Sequence, residues 1–102
     1  MHAVVGIWTM DETQHDEQHR MLHEEIVPLV RNQPGFVSGY WMHDPETGKN
    51  HTAIIFDSRE SAVGFKALVE RGTRRAAQAG VTSDILMTVE IVADAHHQGG
   101  SP

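Results

Sequence analysis

At 102 residues, 39% hydrophobic and 22% charged, the chain is long enough for one globular domain with a core of its own. A formal charge of -6 argues against nucleic-acid backbones and anionic membranes as main partners, since both would repel it at long range. With no cysteine there is no disulfide framework, thiolate nucleophile or thiolate metal site, and no apolar run approaches the ~18 residues of a membrane span.

The opening Met1-His2-Ala3-Val4-Val5-Gly6-Ile7-Trp8 lacks the basic region of a leader and runs straight into a strand pattern, so a cytoplasmic protein is expected. Residues 3–9 are apolar on both alternations, which predicts a strand buried on both faces. Thr9 and Glu12 stand at capping-box spacing, with Asp11 as a competing cap, and open a helix running to about Asn32. Leu22, Ile26, Leu29 and Val30 form its buried stripe, and Pro28 predicts a kink because it removes an amide bond to Glu24.

Gln33-Pro34-Gly35 turns the chain into a β-hairpin spanning residues 34–57, whose loop is Asp44 to Asn50. If His43 and His51 face each other, Phe36, Ser38, Tyr40 and Met42 share one face with Thr52, Ile54 and Phe56. Val37, Gly39, Trp41 and His43 then share the other with His51, Ala53 and Ile55. A second helix opens at Asp57 and Ser58, buries Ala62, Phe65, Leu68 and Val69, and is weakened at Gly64 and Gly72. Residues 73–79 continue it or form a separate short helix that Gly80 ends. A last strand covers Asp84 to Val92, and residues 95–102 are a polar, mobile tail to a domain over 1–94.

The order β-α-β-β-α-β is the ferredoxin-like α+β arrangement, an antiparallel sheet with two helices on one face. On this reading Trp41, His43 and Ile55 lie on the uncovered face. A bare apolar sheet is rare on a monomer, so a homodimer is expected to bury it.

Val27-Pro28-Leu29-Val30, Pro34-Gly35-Phe36-Val37-Ser38-Gly39, the Asp44-Pro45 turn and Phe56-Asp57-Ser58-Arg59-Glu60-Ser61-Ala62 resemble the dimeric α+β barrel superfamily, in particular its antibiotic biosynthesis monooxygenase-like proteins. The resemblance covers Met1 to Asp94. It implies two sheets packed face to face in a dimer, with a pocket between each sheet and its own helices. It also implies, for quinone or polyketide substrates, oxidation with no metal or flavin, by direct reaction of a substrate anion with oxygen. A haem-degrading branch uses an Asn on the first strand, a Trp ending the third and a His in the second helix. Here the first strand has no Asn, Phe56 stands at the Trp position and the second helix has no His, so haem is not the expected ligand.

Eight histidines are the compositional oddity. His15, His19 and His23 recur every four residues as a ridge on the first helix; two imidazoles at that spacing can share a metal, with Glu12 or Asp16 completing a site. Without the glutamate-bearing metalloprotease pattern between them, the ridge reads as a helix flank and no metal is expected. His19 and Tyr40 are the candidate catalytic pair, a base and a phenol donor, and Trp8, Met42, Ile54 and Phe56 the candidate substrate-binding residues. Arg71, Arg74 and Arg75 read as a solvated helix end. No Ser-His-Asp signature or nucleotide-binding glycine loop is present.

The leading expectation is a cofactor-independent monooxygenase-like protein acting on an aromatic or polyketide-like small molecule. A non-catalytic dimer that binds a small hydrophobic ligand, or serves as an accessory subunit, is the alternative, and an isomerase or lyase on the same scaffold a third.

Overall fold

The computed structural model describes residues 1–97. In chain order it contains β1 (His2–Met10), a 3-10 turn (Glu12–Gln14), α1 (His15–Met21), a π-helical turn (Leu22–Ile26), α2 (Val27–Arg31), β2 (Phe36–His43), β3 (Asn50–Phe56), α3 (Arg59–Arg71), α4 (Thr73–Gln78) and β4 (Val81–Glu90). The strands form one antiparallel sheet in the order β2-β3-β1-β4, the ferredoxin-like α+β arrangement. Among the described residues no helix is long and apolar enough to cross a membrane.

The first helical run starts at Asp11, whose carboxylate accepts from the Thr13 amide at 3.0 Å. Thr9 does not cap it: Thr9 belongs to β1, and its hydroxyl donates to Asp84 Oδ2 at 2.7 Å. At Pro28 the missing amide hydrogen and the crowding of the Glu24 carbonyl are relieved upstream, where the helix widens into the π turn and Val27 N–H donates to the Leu22 carbonyl. The expected kink is thus one broadened turn. Gln18 is buried, and its amide donates to the Asp11 and Ala79 carbonyls at 2.8 and 2.9 Å, tying this run to the end of α4.

Ser58, not Asp57, caps α3 by accepting from the Ser61 amide, and Gly72 separates α3 from α4. β4 begins at Val81, three residues before the expected Asp84. Gly80, at φ 76°, reverses the chain directly after α4, and its carbonyl accepts from Asp11 N–H at 2.8 Å, so pairing starts at once with Met10 opposite Val81. β4 ends at Glu90, before the expected Val92. Of the expected tail at 95–102, residues 98–102 lie outside the described residues.

Val4, Val30, Ile54, Phe56, Ala62 and Phe65 form the core between sheet and helices, with Ile26, Phe36, Trp41, Leu68, Val69 and Leu86 packed around it. Phe56 is fully buried, its ring centroid 5.2 Å from that of Phe65 and 6.4 Å from that of Phe36. Burial of such a ring contributes about 2 to 3 kcal/mol.

The hairpin register differs by one residue from the expected one. His43 pairs with Asn50, not His51, and the pairing continues Met42 with His51, Trp41 with Thr52, Tyr40 with Ala53 and Gly39 with Ile54. Residues directly opposite share a face, so Trp41 and His43 lie with Thr52, Ile54 and Phe56 toward the helices. Tyr40 and Met42 lie with His51, Ala53 and Ile55 on the open face, 58% and 46% exposed. A bulge at Val37 restores Phe36 to the helix side, opposite Phe56. The open face also carries Val5, Ile7, Ile85, Met87 and Val89 from β1 and β4, while Val4, Gly6, Trp8 and Leu86 face the helices.

Candidate functional site

The helix-facing side of the sheet divides into a filled half and a half-buried half. Toward Phe36 and Phe56 it is packed solid against α2 and α3. At the opposite end two cross-strand rows, Trp41-Thr52-Gly6 and His43-Asn50-Trp8, bring two indoles, a hydroxyl, an amide and an imidazole together. Trp8, Trp41, Asn50 and Thr52 are partly buried, and His43 is exposed at the rim.

Two glycines set the geometry. Gly6-Ile7-Trp8 and Gly39-Tyr40-Trp41 each place a glycine two residues before a tryptophan, hence on the same face of the strand. A Cβ on Gly6 would lie 2.7 Å from Trp8 Nε1 and 2.9 Å from Thr52 Oγ1; one on Gly39 would lie 3.3 Å from Trp41 Cη2. The indoles therefore lie back over their own strands where any other residue would lift them. Trp8 Nε1 donates to Thr52 Oγ1 at 3.1 Å, which leaves the threonine proton available to a ligand. His43 Nδ1 is 2.7 Å from Asn50 Oδ1. An amide oxygen only accepts, so Nδ1 carries the proton and, in the neutral ring, Nε2 faces outward as an acceptor.

The β2–β3 loop is fixed at both ends. The Asp44 carboxylate accepts from Glu46 N–H and the Thr47 hydroxyl at 2.9 and 2.8 Å, and Gly48 adopts φ 75°. Those bonds, the Thr47 hydroxyl first, hold the Asp44 carboxyl below the usual carboxylate range. Lys49 Nζ donates to Asp84 Oδ2 at 2.5 Å and to Thr9 Oγ1 at 3.2 Å, binding the loop to β1 and β4. The Asp84 carboxyl is held low as well, chiefly by Lys49 and then by Thr9.

The residues expected to make a pocket are dispersed. Of Trp8, His19, Tyr40, Met42, Ile54 and Phe56, only Trp8 belongs to the half-buried platform. Ile54 and Phe56 are core, 3% and 0% exposed. His19 is exposed on α1, and Tyr40 projects from the opposite side of the sheet, so one chain does not bring the two together. Of the residues expected on the uncovered face, Ile55 is there, whereas Trp41 and His43 are not. Two open concavities, of about 550 Å³ between α4 and the start of β4 and about 420 Å³ along residues 12–17, contain none of these side chains. Arg71, Arg74 and Arg75 are exposed at the α3–α4 end as expected, and Arg75 pairs with Glu25 on the π turn. Reading single residues missed Trp41, Thr52, Asn50 and His43; the repeated Gly-x-Trp was the available signal.

No family model and no curated protein sequence matches the chain. Solved structures do. A Deinococcus radiodurans protein proposed to be an antibiotic biosynthesis monooxygenase superposes with a TM-score of 0.74 at 16% identity, over 97% of this chain and 100% of its own. HapK from Hahella chejuensis gives 0.71 at 13% identity, over 97% and 100%. The monooxygenase ActVA-Orf6 of Streptomyces coelicolor, solved with nanaomycin D, gives 0.64 at 12% identity, over 97% and 92%. The chain thus carries, end to end, the fold of antibiotic biosynthesis monooxygenase-type structures.

Proposed function

We propose that the protein is a homodimeric, cofactor-independent monooxygenase that takes an aromatic or polyketide-like molecule on the Trp8–Thr52–Trp41 platform. The observation that carries this reading is the pair of indoles laid back over Gly6 and Gly39 on either side of one hydroxyl. The arrangement offers flat apolar contact to a planar ring and a hydrogen bond to one of its oxygens. A neighbour of the same fold holding a small ligand is consistent with it.

His43 Nε2, held by Asn50, would take a proton from an acidic C–H or O–H of the substrate. The resulting anion is electron-rich enough to reduce oxygen itself. A C–O bond forms, the O–O bond of the peroxide then breaks, and a methylene becomes a carbonyl: RCH2 + O2 gives RC=O + H2O, the substrate supplying all four electrons. Trp8, Trp41 and Thr52 orient the anion and shield it from water. The open face, with Tyr40, Met42, Ile55, Ile85 and Met87, is covered by a second copy, and the acidic surface leaves nucleic acid and membranes outside the reading.

The test is oxygen uptake with a panel of anthrones and hydroquinones, read beside quenching of the two tryptophans. Uptake above background that falls about 100-fold in His43→Ala supports the reading. Background uptake across the panel ends the oxygenase; quenching without uptake then favours a small-ligand binder, a reading already favoured by the solid packing of Ile54 and Phe56 beside the platform.

A further inference from the structure

We propose that His19 and His23 form a two-imidazole site for a divalent transition-metal cation on the outer flank of the first helical run, independent of the platform and its chemistry. The rings stand 4.4 Å apart between centroids, inclined at 57°, and bridge the last turn of α1 and the π turn. His15 follows on the same ridge, 6.2 Å from His19. All three are exposed. The imidazoles that make side-chain hydrogen bonds or ion pairs among the described residues are those of His2, His43 and His96, so the ridge nitrogens are uncommitted.

Spacing alone left this ridge as a helix flank; the approach of the rings changes that. Metal–nitrogen bonds of about 2.0 to 2.1 Å place two nitrogens on one cation at most about 4 Å apart, a span the His19 and His23 rings reach by rotation about their own side-chain bonds. The surrounding charge favours a cation. Arg20, next to His19, is engaged by Glu17, Glu24 and Glu25, three carboxylates around one guanidinium, and Asp16 adds another negative charge. Among the described residues no set of three or more histidine, cysteine or carboxylate ligands is assembled. Water therefore completes the coordination, and the order of affinity follows the divalent series, with Cu2+ above Ni2+ and Zn2+. Bound metal would staple α1 to the π turn and raise the melting temperature.

The experiment is calorimetric titration of the untagged full chain with Cu2+, with Ni2+ and Zn2+ as weaker competitors, and electron paramagnetic resonance to count nitrogen donors. One Cu2+ per chain with two nitrogen donors is expected. His19→Ala should weaken it by about 10-fold or more, and His23→Ala should leave a remnant through His15. The double variant His96→Ala/His97→Ala should bind as the parent does. Circular dichroism confirms that each exposed substitution leaves the helices intact. Absence of binding, or binding that survives His19→Ala and disappears with His2, His96 or His97, overturns the site.

Discussion

Replacing Met87 by Glu sets a carboxylate on the open face of the sheet, opposite Val5 and 44% exposed in the single chain. Four strands about 4.8 Å apart, each presenting three residues at roughly 6.7 Å intervals, give that face an area on the order of 400 Å². Apolar patches of that size mark contact surfaces, and it amounts to about half of the ~800 Å² each partner contributes to a standard interface. In the free chain the new carboxylate stays in water and changes folding stability by less than about 0.5 kcal/mol. In the dimer it loses that water without gaining a cation, at a cost of several kcal/mol, and even about 3 kcal/mol weakens association about 100-fold. Sedimentation equilibrium across the micromolar range should show a dimeric parent and a monomeric Met87→Glu. Val63→Glu, equally exposed at 44% but on α3, should remain dimeric. A parent that is monomeric throughout, or a Val63→Glu that dissociates just as readily, refutes the assignment of this face.

The remaining predictions concern the fold that holds the platform. Gly35→Ala, at φ 75°, drives a Cβ to 2.5 Å from Asp57 Oδ1 and should cost about 2 kcal/mol or more in thermal unfolding. Gly48→Ala has the same φ but open space around it and should cost only about 1 kcal/mol; equal losses would remove the clash argument. In a Met87→Glu background, where the open face is wet, Trp41→Ala should cost about 2 kcal/mol or more and Tyr40→Ala under about 0.5; the reverse order would mean the register is wrong. Asp84, Asp44 and Asp11 all have carboxyls held low in the fold, by Lys49, Thr47 and Thr13 respectively as the leading partners. Each folded pKa lies below the unfolded one, so their stabilisation is complete above about pH 4 and is lost as pH falls through the folded values. Urea midpoints should stay flat near neutrality and drop below about pH 4, and Asp84→Asn should flatten part of that drop; an unchanged slope would count against the Lys49–Asp84 tie.

The element order was legible because each boundary carries its own chemistry. Asp11 and Ser58 cap, Gly72 breaks α3 from α4, Pro28 distorts, and Pro34-Gly35 turns the chain, all through local backbone effects that a sequence displays. The parity of the hairpin was not legible in the same way. Tyr40, Trp41 and Met42 are three large side chains in succession, so neither alternation looks like the wet one, and a one-residue shift leaves the hydrophobic pattern almost unchanged. What decides the register is the loop. Gly48 in the left-handed region lets its N–H reach the Asp44 carbonyl at 2.8 Å, and Asp44 N–H then meets the Lys49 carbonyl at 2.9 Å, so the next rung is His43 with Asn50. A glycine one residue before the end of the loop was the sequence signal for that geometry.

The consequence reaches the chemistry. With His43 opposite His51, Tyr40 would have looked toward the helices and Trp41 toward a partner chain. With His43 opposite Asn50, the phenol leaves the pocket side and an indole replaces it, and His43 gains an amide oxygen that fixes which of its nitrogens is free. Trp41 then stands beside Thr52, which already accepts from Trp8. One rung of pairing therefore converts two separate tryptophans into a single aromatic platform with a proton acceptor at its edge.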